Sequence, residues 1–502
     1  ADAYVELSAG GSGRDFMHHI VCLQLAGRSE AARKAVAEAI KMHPDSGPLY
    51  ALSAWLELQG KRPEDALPLI EQARRSDMTR EGLYVYAHGM ISLALENHET
   101  AEKDFIQAAD LLPGQPFVQV RVARIHRAAG RTEQALRAYR AAADAAGADA
   151  QIWAELALAL EGADQLAGAV GTLRRAFQQN PANPHVARSL ASLLVRQGNY
   201  DAALKVLAGA AGAASCRPDL HAEHGNLAAL MWRLDEAAQA YRKAMDVARD
   251  GHRTAVSLAR VHRLRRDYEK AEAILAAVTK KHADNNGLRA AALLERAALL
   301  SEVGRMEKAV ELLETAASLP GARVHAARQL VEVHIKIGTP EAHQAALRHA
   351  QLAVAAGETS ANLATLGRAL LANGNPEKAL TAAASGLEKN PRCSASLRTA
   401  ARARIALEQP AEAAALLEQA LKLNPYDVDA LQLAGRVELL QGDPAGAADF
   451  WQRALKLNPW DGALHSALAG VLSEQLNQRE ASQRHIERSA ELRRRRESYT
   501  GS

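Results

Sequence analysis

Three prolines, Pro391, Pro425 and Pro459, stand 34 residues apart, each inside a variant of one string: LEKNPRCSAS, LKLNPYDVDA and LKLNPWDGAL. A fixed period of this length constrains the fold strongly, because each period is one supersecondary unit that cannot bury its apolar face alone and must stack on its neighbours. With each proline taken as position 32, the unit ending at Pro459 places Leu431 at position 4, Ala434 and Gly435 at 7 and 8, Ala447 at 20, Trp451 at 24 and Ala454 at 27. The unit ending at Pro425 fills the same slots with Leu397, Ala400, Ala401, Ala413, Leu417 and Ala420. The frame runs toward the N-terminus, with Trp153, Leu156, Ala157, Ala169, Leu173 and Ala176 before Pro181, and Val85, Gly89, Ala101, Phe105 and Ala108 before Pro113. Small residues at 8, 20 and 27 let two antiparallel helices cross closely, while the large residue at 24 wedges between units.

In period and in these slots the chain resembles the tetratricopeptide-repeat family, with the bacterial-type, alanine-rich character of some members. The resemblance implies an all-α fold, a right-handed α-α superhelix of about 14 repeats and about 28 helices. First helices are expected to start near residues 14, 48, 82, 116, 150, 184, 218, 252, 288, 322, 360, 394, 428 and 462. Glycines such as Gly198 and Gly442 are placed to end first helices in the left-handed conformation. Three segments follow: an extended leader and linker over 1–13, the repeats over 14–477, and a capping helix with tail over 478–502, its last residues expected to fray. The units over 286–358 run a few residues long.

Composition agrees and narrows the function classes. Aromatics are 4% and hydrophobics 48%, with alanine dominant, so burial must come from many repeated contacts rather than one large centre. A net charge of +3 from 61 basic and 58 acidic residues gives no basis for nucleic-acid binding by bulk charge. Cys22, Cys216 and Cys393 are scattered, which argues against a disulfide framework or zinc module. They lean toward a reducing, cytoplasmic compartment; a periplasmic one stays open for a chain that has lost a signal segment. No apolar run approaches a membrane span. No Walker, GxSxG or HExxH motif and no insertion large enough for a catalytic domain is present, so neither enzyme activity nor a cofactor is expected. His18, His19 and Cys22, and His221 with Glu223 and His224, lie within single helical turns, yet neither is a full ligand set, and solvated or packed histidines explain both.

The resemblance implies that first helices line a concave groove, with positions 2, 5, 9, 12 and 13 pointing into it. Position 9 then reads Val21, Trp55, Met90, Arg124, Leu158, Ser192, Asn226, Arg260, Ala298, Glu332, Arg368, Arg402, Arg436 and Gly470. Near the N-terminus Met17, Val21, Trp55, Tyr86 and Met90 make this face apolar, as partner anchors or as ordinary packing between repeats. Arg368, Arg402 and Arg436, with Arg398 one turn from Arg402, form an arginine ladder that suits carboxylates or phosphates, or that pairs with neighbouring carboxylates of the chain itself. The candidate groove residues are therefore Trp55, Tyr86, Met90, Arg124, Arg260, Arg368, Arg398, Arg402 and Arg436. The expected partner is a protein or peptide with an extended, acidic segment.

Two other readings rest on resemblance: a cell-envelope polysaccharide export or assembly component, and the regulatory repeat arm of a glycosyl- or sulfotransferase-type enzyme. The chain departs from the latter, since asparagine occupies position 9 only at Asn226, and it lacks the Lys, Asn and Arg clamp of members that bind chaperone tails. In the leader, Tyr4-Val5-Glu6-Leu7 precedes Ala9-Gly10-Gly11-Ser12-Gly13. That pattern reads either as a tethered ligand on a flexible linker or as a native or vector-derived leader without a role.

Overall fold

The computed structural model describes residues 13–146, 150–248, 251–282 and 284–499. The leader over 1–12, with its Tyr4 to Leu7 segment, and the tail over 500–502 lie outside the described residues. Among the described residues the chain forms 28 α-helices, a single 3-10 turn at Met78–Arg80, and no strand. The helices pair as fourteen helix-turn-helix repeats, from Gly13–Leu25 with Ser29–Met42 to Gly462–Glu474 with Arg479–Glu497. First helices begin within two residues of the expected positions, and the longer repeats come from Asn286–Glu302, Arg323–Ile337 and Pro340–Ala355, of 17, 15 and 16 residues. The chain divides into two compact units, Ala1–Leu193 and Leu194–Ser502.

The repeat signature works through volume. Position 8 is buried in one repeat after another, as at Gly89, Ala123, Ala157, Gly225, Ala259, Ala401 and Gly435. Where it is glycine, a bulky ring at position 24 tends to fill the freed space: Phe105 opposite Gly89, Tyr241 opposite Gly225 and Trp451 opposite Gly435. Where it is alanine, position 24 is mostly leucine, as in Ala157 with Leu173 and Ala401 with Leu417. In these repeats the two slots trade volume, while Ala123 with Tyr139 and Gly367 with Ala383 depart from the trade. A Cβ on Gly225 would sit 2.7 Å from two ring carbons of Tyr241, so this crossing requires glycine.

Turn chemistry sets the helix ends. Gly198 and Gly442 take φ of +78° and +85° after their first helices, as their spacing anticipates. Asp427, Asp443 and Asp461 accept the backbone N–H three residues on and so cap Val428–Leu440, Pro444–Leu457 and Gly462–Glu474. One expectation fails at the C-terminal end. Tyr499, expected to fray, is buried against Tyr268 with ring centroids 5.5 Å apart. Apolar contact with a distant repeat outweighs the disorder expected of a terminal residue.

Candidate partner-binding face

Position 9 follows the buried position 8 by one residue and is therefore turned out of the helix pair. Every position-9 residue from Val21 to Gly470 is exposed or half-buried. Taken in chain order these side chains form a row, and its chemistry differs between the two units.

In the first unit the row is mostly apolar, with Arg124 and Ser192 as its polar members. Trp55 is 39% exposed and Leu158 58%, and position 2 adds Leu83 and Phe117, 42% and 43% exposed. Tyr86 bridges repeats, edge-on to Phe117 at 5.0 Å and to the buried Phe105 at 5.4 Å. Tyr86 therefore serves packing between repeats as well as surface, whereas Trp55 presents its ring to solvent and Met90 is half-buried. Leu83 and Phe117 were not among the sequence candidates, although the same frame places both at position 2. Arg124 is tied across to the next repeat: its guanidinium grips Glu155 through Nε at 2.9 Å and Nη2 at 2.5 Å, and the Tyr139 hydroxyl also donates to that carboxylate. The hydrogen-bonded Arg124 guanidinium, working against burial, holds the Glu155 carboxyl below the usual carboxylate range.

In the second unit the row is charged and largely self-paired. Arg260 and Arg263 converge on Glu295, which is 3% exposed, with Nε to carboxylate distances of 2.9 and 2.6 Å. Burial pushes the Glu295 carboxyl up, but the two guanidiniums outweigh it and hold it below its ordinary value. Arg263 and Arg266 both reach Glu302. Arg368 pairs with Glu332 at 2.6 Å, and Arg398 with Asp427 and Asp429 at 2.9 and 2.7 Å. Arg260, Glu295, His325, Arg328, Glu332 and Thr365 line a depression of about 460 Å³ on this face.

Self-pairing thus takes up Arg368 and Arg398, which leaves Arg402 and Arg436 as the ladder members unpaired among the described residues. Arg402 is half-buried and shows no ion pair among the described residues; burial, reinforced by Arg368, pulls its guanidinium down to about 10. Arg436 is exposed and likewise shows no ion pair among the described residues. The histidine clusters are divided among separate partners. His221 faces the Ser215 carbonyl at 3.3 Å, His224 meets Glu236 at 2.8 Å, and His19 is buried while His18 and Cys22 are exposed. Among the described residues no group of three or more His, Cys, Asp or Glu side chains is placed to hold a metal ion, and no helix is long and apolar enough to cross a membrane.

Paired helices in 34-residue register, small residues buried at the crossings and rows of side chains turned outward define an all-α repeat protein. The chain carries tetratricopeptide repeats. Family models described as tetratricopeptide repeat match residues 160–222, and residues 26–81, 122–184 and 398–461. Among solved structures the chain is similar to the APC/C hetero-tetramer Cut9–Hcn1, at 13% identity over 98% of this chain and 98% of that chain, with a TM-score of 0.40. It is also similar to yeast Tom70, at 13% identity over 83% and 97%, with a TM-score of 0.38. A third similarity is to Naa15/Naa10 bound to HypK-THB, at 18% identity over 94% and 68%, with a TM-score of 0.30. No curated protein sequence matches the chain.

Proposed function

We propose that the chain is a non-catalytic scaffold that holds extended segments of partner proteins against the first-helix rows. The first unit supplies apolar anchors at Trp55, Met90, Phe117 and Leu158, and the second supplies cationic contacts at Arg402 and Arg436. The observation that carries this reading is the unequal satisfaction of the charged row. Glu295, Glu302, Glu332, Asp427 and Asp429 all have arginine partners, yet Arg402, half-buried beside Arg368 and Arg398, has none. Holding a partly desolvated cation beside Arg368 and Arg398 costs free energy that the pull of Asp429 and Glu332 does not cancel, and an incoming carboxylate would offset that cost with charge-assisted hydrogen bonds. Exposed apolar residues aligned in the first unit, against a chain average dominated by alanine, support side-chain anchoring there.

The test is affinity capture from the native source on immobilised chain, compared with an Arg402→Gln/Arg436→Gln variant at low and high salt, with bound proteins identified by mass spectrometry. The expected result is a bound protein whose recovery falls with the double substitution and with rising salt. The same proteins retained at the same level by the variant and at high salt would contradict the cationic half of the reading. Retention after Trp55→Ala and Leu158→Ser would contradict the apolar half.

A further inference from the structure

Two edges of the second unit that lie about six repeats apart in sequence meet along a seam. On one edge are turns between the helices of a repeat, at Tyr200, Trp232, Arg266 and Tyr268; on the other are links between repeats at Leu423–Val428 and Leu457–Asp461, followed by Tyr499. The Tyr200 hydroxyl donates to the Leu423 carbonyl at 2.5 Å, and its ring stands edge-on to Tyr426 at 5.3 Å. Trp232 and Leu457 both pack on the cluster that contains Val428 and Trp451. Arg266 Nε donates to the Trp460 carbonyl at 3.4 Å, and Tyr268 meets Tyr499, which Arg305 also covers at 5.7 Å. A cavity of about 300 Å³ lies at this end of the seam, walled by Arg266, Tyr268 and Glu302 on one side and Trp460, Ser489 and Arg493 on the other.

Both edges keep the repeat period. Trp232 and Arg266 are 34 residues apart, as are Tyr426 and Trp460. Trp232 and Arg266 occupy the turn position held by Gly198 one repeat earlier, with φ of +57° and +65°. A bulky residue in the left-handed region is strained relative to glycine. Other repeats also carry side chains there, among them Lys61 and Asp164, so the turn tolerates them. At Trp232 and Arg266 the side chains so displayed are the ones that reach the opposite edge.

We propose that the seam is a latch: its contacts open and close together, and when closed they hold the position-9 row of repeats 8 to 13, including Arg402 and Arg436, in one fixed geometry. A helical repeat array otherwise couples only nearest neighbours, so that each repeat adjusts independently of those far along the chain. The latch adds coupling across about six repeats. It does not depend on what the row binds.

Glycine suits the left-handed turn, so Trp232→Gly and Arg266→Gly remove the latch side chains while relaxing the turn that carried them. Amide hydrogen exchange of the intact chain reads the outcome. In the double variant, exchange is expected to rise about tenfold at 423–428, at 457–461 and at Tyr499 together, with helical circular dichroism retained. Lys61→Gly, the same change away from the seam, leaves those three segments unchanged. Tyr426→Ser, made from the other edge, raises exchange at 198–201 and 231–234. Unchanged exchange at the far segments overturns the latch, as does a rise confined to the segment facing each substituted tip. An equal rise caused by Lys61→Gly overturns it as well.

Discussion

The charged row separates residues whose loss breaks a satisfied pair from those whose loss relieves an unsatisfied charge. Glu295 belongs to the first kind: it is buried and receives Arg260 and Arg263, so Glu295→Gln leaves a buried guanidinium short of a counter-charge. The expected cost is about 3 kcal/mol, read as a lower urea midpoint. Arg402 belongs to the second. Its guanidinium is already pulled down by burial and by Arg368, so Arg402→Gln is expected to change stability by less than about 1 kcal/mol, or to raise it. An Arg402→Gln loss as large as that of Glu295→Gln shows that Arg402 is structural. Gly225→Ala tests the helix crossing, because its Cβ meets the Tyr241 ring; destabilisation of about 1–3 kcal/mol is expected from overpacking. Ala259→Gly, where position 24 is Leu275, tests the opposite imbalance and should cost about 1 kcal/mol.

The helix pairs show what the sequence made legible and what it did not. Positions 8 and 24 touch because the period fixes which residues face each other within one repeat, and the register follows from Pro391, Pro425 and Pro459 alone. Leu83 and Phe117 were available in that frame at position 2. The pairing of Arg368 with Glu332 was also visible as opposite charges in adjacent position-9 slots, but side-chain rotamers, which the period does not encode, decide whether such neighbours pair. The seam could not be read this way, since it depends on small rotations summed over about six repeats; its trace is the aromatic residue after Pro425 and Pro459, Tyr426 and Trp460, where Arg392 follows Pro391. Histidine pairs between helices of one repeat give a pH test. His465 and His485 meet through their Nδ1 atoms at 2.7 Å, with the Pro459 carbonyl, Arg488 and Asp461 around His465. His334 stacks on His349 at 5.5 Å, near Glu314 and Arg348. Burial lowers the pKa of all four, helped by the neighbouring histidine at His485 and His334. The unfolded chain takes up these protons at the ordinary value of about 6.5 whereas the folded one resists. Stability is therefore full above that pH and declines as pH falls below it. Melting temperature should fall from pH 7 to pH 5, and less steeply in a His485→Gln/His349→Gln variant; equal slopes contradict the assignment.

Across the whole molecule, a near-balanced chain of net charge +3 carries two differently equipped rows, mostly apolar in the first unit and cationic at two points in the second. The period makes both possible. It fixes buried slots at 8, 20, 24 and 27 while leaving position 9 free to vary, so binding chemistry changes along the chain without disturbing the packing. The claim that this face does the binding predicts where protection falls when a captured partner is bound. Amide exchange with and without the partner should slow in first helices around Trp55, Met90 and Leu158 or around Arg402 and Arg436. Second helices such as Pro410–Leu423 should change little. Protection concentrated on the second helices, with the first-helix rows still exchanging freely, would contradict the claim.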